Sequence, residues 1–170
     1  MQRTLVAMLA AGAALAAGAS NRGEEKRDVS SQKRGAEPRK RAHAQAKVTV
    51  HDSSATPYDQ AGGPPLAEVH IRESFSGDFE GESAVRALQV RRDDGFASLV
   101  SMQRFRGRLG GREGAFVLQG SETVENGKIR ATWFVVPGSA TGGLAGLRGE
   151  GGFEGQFGQG SIATLDYWFE

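Results

Sequence analysis

The chain contains no cysteine and only three histidines in 170 residues. Without cysteine there is no disulfide framework, no zinc ribbon and no thiol nucleophile. His43, His51 and His70 do not fall at the short spacings of a transition-metal site, so neither a metal nor another cofactor is expected. A charge excess of one sign is also missing, the formal net charge being +1. From Lys47 to Glu170 there are twelve Lys/Arg against sixteen Asp/Glu, a net of −4. A mildly acidic domain of this kind argues against nucleic acid as a partner. Beyond residue 46 no segment repeats apolar residues at helical spacing.

Glycine is abundant. Ten of the twenty-three residues from Gly138 to Gly160 are glycine. Such a run is costly to order and needs a rigid holder, and with no disulfide available a closed sheet is the natural one. Short runs of β-formers separated by turn signals support this. Strands are expected at Val48–Asp52, Leu66–Ser76, Ser83–Arg91, Phe96–Leu109, Ala115–Thr123, Ile129–Val136 and Ser161–Phe169. Two shorter ones are expected at Leu144–Arg148 and Gly152–Phe157. Gly77 to Gly81 reads as a bend, and Asn126-Gly127 as a type I′ hairpin turn. Eight or nine antiparallel strands in this length predict an eight-stranded antiparallel barrel, with a jelly-roll or other sandwich as the alternative.

The N-terminal segment 1–19 has the pattern of an export signal: Arg3, an apolar alanine-rich run from Thr4 to Gly18, and small residues at Ala17 and Ala19. The run is short for a membrane span, so the mature protein is expected to hold no integral membrane segment and to be periplasmic or extracellular. Residues 20–46 are highly charged and nearly free of large apolar side chains, and read as a disordered linker. The barrel domain is placed at 47–170.

Three stretches carry a family likeness: SGDFEGES (Ser76–Ser83), GRLGGREGAFVLQG (Gly107–Gly120) and VVPGSATGGLAGLRGEG (Val135–Gly151). They resemble the motifs of a bacterial family of unknown function with an allene-oxide-cyclase-like barrel. GEGGFEGQFGQ (Gly149–Gln159) and SFSGD (Ser74–Asp78) are similar to segments of plant allene oxide cyclases. The resemblance implies an eight-stranded barrel of the type shared with dirigent proteins, an apolar small molecule inside it, and a cofactor-free cyclisation or isomerisation. The plant cyclases are trimers and use a cavity glutamate and an asparagine. Just before SFSGD, where the asparagine is sought, this chain has Arg72 and Glu73.

Strand alternation picks out the candidate site. Glu73 shares a face with Val69, Ile71 and Phe75. A carboxyl among apolar neighbours has a raised pKa and suits general acid/base work near neutral pH. Gln103 shares a face with Leu99 and Phe105 and would orient a ligand or water. Trp133, Tyr167 and Phe75 would wall a ligand. Glycine patterns that mimic nucleotide loops lack the required context: Leu144 stands where a P-loop needs lysine, and no strand–helix unit surrounds Gly158–Ala163.

The expected function is thus an exported barrel that binds a small, largely apolar molecule, with Glu73 as its acid/base if it is a cyclase or isomerase. The alternatives are a non-catalytic carrier and a structural oligomer with a filled barrel. Large apolar residues on both faces of Ile129–Val136 and of the last strand point to a homo-oligomer, dimer or trimer.

Overall fold

The computed structural model describes residues 40–156 and 159–170. The expected signal at 1–19, and the linker up to residue 39, lie outside the described residues. The strands are β1 (Ala42–Asp59), β2 (Leu66–Gly77), β3 (Phe79–Arg91), β4 (Ala97–Leu109), β5 (Arg112–Glu125), β6 (Lys128–Val135), β7 (Thr141–Gly142), β8 (Leu147–Gln156) and β9 (Gly160–Phe169). Among the described residues there is no helix, and so none long and apolar enough to cross a membrane.

Eight strands close into an antiparallel ring, β1-β2-β3-β4-β5-β6-β8-β9, with β9 returning to β1. The predicted barrel is therefore present, with one small addition. β7 pairs with Gly114 and Ala115 of β5, past the last β5–β6 pair at Leu118 and Val135. Closure leaves little exposed edge on the ring strands, and the longest open stretch is along β1. That strand pairs with β9 only from Ala42 to Val48, and with β2 from Ala46 to Asp59.

The turn chemistry matches the sequence. Asn126 and Gly127 have φ of 51° and 76°, the left-handed pair that a type I′ hairpin demands. Strand limits differ most in three places. β1 begins at Ala42, ahead of the expected domain start, and runs on to Asp59. β3 starts at Phe79, inside the expected bend. β8 is one continuous strand where two short ones were expected. Its glycines allow close passage of both neighbours. A Cβ on Gly151 would lie 2.1 Å from the Thr164 carbonyl oxygen of β9, and one on Gly152 2.0 Å from the Ala131 carbonyl oxygen of β6.

Those backbone atoms cannot move without breaking the ring. Gly152→Ala is expected to cost about 2 kcal/mol through overpacking, read as a lower urea midpoint at an unchanged slope. Gly63→Ala, where nothing lies within 4 Å of the added Cβ, is the matched control and should be near neutral. Equal midpoints for the two variants would refute the close-passage argument.

Inward side chains form two apolar clusters. The larger includes Phe75, Phe79, Phe105, Phe116, Leu118, Trp133, Leu144, Leu147 and Leu165. The smaller holds Val69, Ala87, Ala97 and Leu99, with Ile71 and Val124 packed on it. Between them lies a polar layer.

Candidate functional site

Three strands build this layer by placing a polar residue where alternation demands an inward side chain. On β2, Glu73 stands between Ile71 and Phe75. On β4, Ser101 and Gln103 stand between Leu99 and Phe105. On β5, Glu122 stands between Leu118 and Val124, with Gly120 intervening. Gln103 is 4% exposed and Glu122 7%. Buried polar groups of this kind need partners, and the layer supplies them internally. Gln103 Nε2 donates to Glu73 Oε1 at 2.7 Å. Ser101 Oγ donates to Glu122 Oε1, also at 2.7 Å.

The two carboxyls do not sit in the usual carboxylate range. Burial pushes Glu73 up to about 7, and the negative charge of Glu122 adds to the rise. The hydrogen bond from Gln103 opposes it, as does the neighbouring Ser83 hydroxyl. Ser83 lies directly across from Glu73 in the β2–β3 register, and its buried Oγ makes no well-formed hydrogen bond. Burial also raises Glu122, against the hydrogen bond from Ser101. Both carboxyls are therefore held above the usual carboxylate range, Glu73 near neutral pH.

The layer faces a cavity of about 90 Å³ lined by Val48, Val50, Ile71, Glu73, Val85, Gln103, Glu122, Ile129, Phe153, Gly160 and Ser161. It opens where β1 and β9 part company after the Val48–Ser161 pair. Its volume corresponds to roughly three waters, at about 30 Å³ each in the liquid. Ligand pockets for drug-sized molecules run to roughly 300–1,000 Å³, so a ligand here is limited to a handful of non-hydrogen atoms. The walls are apolar apart from Glu73, Gln103, Glu122 and Ser161. Among the described residues no group of three or more His, Cys, Asp or Glu is placed to hold a metal ion.

Of the five residues singled out from sequence, the structure brings Glu73 and Gln103 into direct contact. The other three lie elsewhere. Phe75 packs in the phenylalanine cluster, with ring centroids 5.2 Å from Phe79 and 5.6 Å from Phe105. Trp133 packs on Phe153 at 5.3 Å, and its Nε1 donates to the Thr164 carbonyl at 3.2 Å. Tyr167 packs edge-on against Phe169, with its hydroxyl close to Gly110. None of the three lines the cavity. Sequence reading missed Glu122, Ser101 and Ser83. The signal was available for Glu122, which shares its alternation set with Phe116 and Leu118.

A solved structure from Shewanella oneidensis MR-1, described as a protein with unknown function from the DUF3224 family, is similar to this chain. The two share 27% identity at a TM-score of 0.63, over 77% of this chain and 98% of that one. No curated protein matches significantly. The model of the family described as protein of unknown function (DUF3224) matches residues 42–167, nearly the whole ring from β1 to β9, and the chain belongs to that family.

Proposed function

We propose that the barrel binds a small, largely apolar molecule carrying one oxygen function at the Glu73–Gln103–Glu122 layer. There it performs cofactor-free proton transfer of the kind that drives isomerisation or cyclisation. One observation carries this reading: a partly buried carboxyl, Glu73, and a buried one, Glu122, share a small apolar cavity, and burial lifts the first to about 7. A group whose pKa lies near the working pH is the effective general acid or base. A neutral carboxyl beside an ionised one offers an acid and a base together. Neutral Glu73 would protonate the ligand's carbonyl oxygen while ionised Glu122 takes a proton from the adjacent carbon. The product is an enol, and reversal returns both protons. Gln103 fixes the orientation of Glu73. The resemblance to allene oxide cyclases supports the same chemistry. The export-signal pattern at 1–19 supports a location outside the cytoplasm.

The proton transfer can be tested without a natural substrate. An acetone-sized ketone incubated with the protein in D2O should exchange its α-hydrogens faster than in buffer, followed by NMR. Glu73→Gln should lower the protein-dependent rate by roughly a hundredfold, the lower end of general acid/base contributions. Exchange with the wild-type protein no faster than in buffer overturns the catalytic reading. A second reading is a structural oligomer with a filled barrel. It is favoured by the phenylalanine cluster that occupies one end of the interior.

A further inference from the structure

Acidic groups on the surface of this barrel have cationic neighbours. Glu68 meets Arg86, Glu150 meets Arg41 and Glu154 meets Arg130. The interior pair is different. Glu73 and Glu122 share a cavity, and among the described residues no lysine, arginine or histidine lines it. Buried charge is ordinarily paired, so the chain leaves the counter-charge of this layer to an occupant.

The hydrogen bonding of the layer is incomplete as well. Gln103 Nε2 and Ser101 Oγ each donate to one carboxyl oxygen, the Oε1 of Glu73 and of Glu122. That leaves Oε2 of each carboxyl. Ser83 enters the same layer from β3, directly opposite Glu73. It is 5% exposed, and its Oγ has no hydrogen-bond partner. A hydroxyl accepts as readily as it donates. Two carboxyl oxygens and one hydroxyl are thus left over beside a cavity that has no cation of its own.

The walls say what kind of cation fits. A calcium-like ion wants six or more oxygen ligands, and most of this cavity is Val48, Val50, Ile71, Val85, Ile129 and Phe153. An ammonium group carries one charge and three donors, and an alkyl part attached to it takes the apolar wall. An aromatic wall such as Phe153 suits a cation as well as an alkyl chain. The cavity of about 90 Å³ limits that alkyl part to a very short one.

We infer that the cavity is a site for the ammonium head of a small primary alkylamine, held by Glu73, Glu122 and Ser83. This goes beyond the proton-transfer reading. The cavity is the same, but binding an amine requires no reaction, so ketone exchange and amine binding can fail separately.

Binding should tighten as pH rises. A carboxyl that holds its proton must release it to pair with an ammonium, and burial raises both carboxyls. Protons therefore compete at pH 5 and far less at pH 8. The other polar groups facing the pair are Ser101 and Gln103 from β4, Ser83 from β3 and Ser161 from β9, and none of these titrates in that range. Ethylammonium stays charged throughout it, as a lysine side chain does.

The test is a titration of the full chain with ethylammonium, with ethanol as the neutral probe of equal size. The signal is the side-chain amide of Gln103, read by NMR. The dissociation constant for ethylammonium should be at least about tenfold lower at pH 8 than at pH 5, while that for ethanol should not change. Glu73→Gln and Glu122→Gln should each weaken ethylammonium at pH 8 at least about tenfold. Ser83→Ala should weaken it roughly tenfold, and an unchanged circular dichroism spectrum checks that each variant is folded. The wild-type comparison of the two probes needs no variant. Equal binding of ethylammonium and ethanol, equal affinity for ethylammonium at the two pH values, no perturbation of Gln103, or the same perturbation by sodium chloride at equal concentration overturns the proposal.

Discussion

Phe105→Ala lowers the stability of the barrel by about 3–5 kcal/mol, the cost of replacing a fully buried phenylalanine with alanine. The ring is 0% exposed. Its centroid lies 4.8 Å from Phe116, 5.6 Å from Phe75 and 5.9 Å from Phe79. It thus joins rings from β2, β3 and β5 to its own β4, and truncation leaves a void bounded by three stiff aromatic rings set in a closed ring of strands. The lining cannot collapse inward, which places the cost at the upper part of the range for large-to-small changes. Since domains are stable by only about 5–15 kcal/mol, the urea midpoint should fall by a large fraction of its value. Tyr58→Ala, at an exposed site on the half of β1 that leaves the ring, should change stability by less than about 0.5 kcal/mol. A loss below about 1 kcal/mol for Phe105→Ala would mean that this cluster does not hold the barrel together.

Much of the ring was legible because its strands alternate. The inward set of β4, from Leu99 through Gln103 to Phe105, is recoverable from sequence spacing alone. So are the outward Arg104, Arg106 and Arg108, and the Asn126-Gly127 turn. What was not legible has physical causes. The first half of β1 buries only Ala44, Ala46 and Val48. Alanines inside a charged stretch carry almost no hydrophobic signal, yet small side chains are what fit beside the phenylalanine cluster. The second half of β1 is exposed throughout and includes Pro57. It is a strand because β2 pairs with it, and not because of any pattern of its own. In β8, glycine stands where a central strand would carry β-formers, because neighbouring backbones pass too close for a Cβ.

The site divides in the same way. Glu73 and Gln103 each stood out as a polar residue in an apolar alternation set, and they prove to be bonded to each other. Glu122 obeyed the same rule on β5 and completes the pair. Phe75 and Trp133 also point inward, but alternation reports the face and not the height along the barrel axis. Height depends on stagger between strands, which decides that Phe75 joins the packed cluster while Glu73, two residues earlier, meets the cavity.

That height also determines the largest pH effect among the described residues. Glu73→Gln is expected to stabilise the protein by about 3 kcal/mol at pH 8 and to leave it nearly unchanged below pH 4.5. An unfolded chain releases the Glu73 proton near the ordinary value of 4.5, while the folded chain holds it to about 7. Below 4.5 both states are protonated and the raised pKa costs nothing. Between 4.5 and 7 the folded state binds more protons than the unfolded state, so stability falls as pH rises, and above 7 the loss is complete. At about 1.36 kcal/mol for each pKa unit, the difference amounts to roughly 3 kcal/mol. Glutamine keeps an oxygen to accept from Gln103 Nε2 and carries no charge to bury, so it removes this penalty. Glu122→Gln should act in the same direction, because burial raises that group too. The measurement is urea denaturation of the wild type and both variants at pH 4.5, 6 and 8, and the difference between variant and wild type should grow across that series. A constant difference would show that the folded chain does not hold the Glu73 proton above the ordinary value of 4.5. The neutral carboxyl would then be absent from the cavity, and with it the acid half of the proposed proton transfer. A growing difference would mean that the fold gives up stability near neutral pH to keep a proton inside the barrel, a cost of the kind borne at sites where protons are moved.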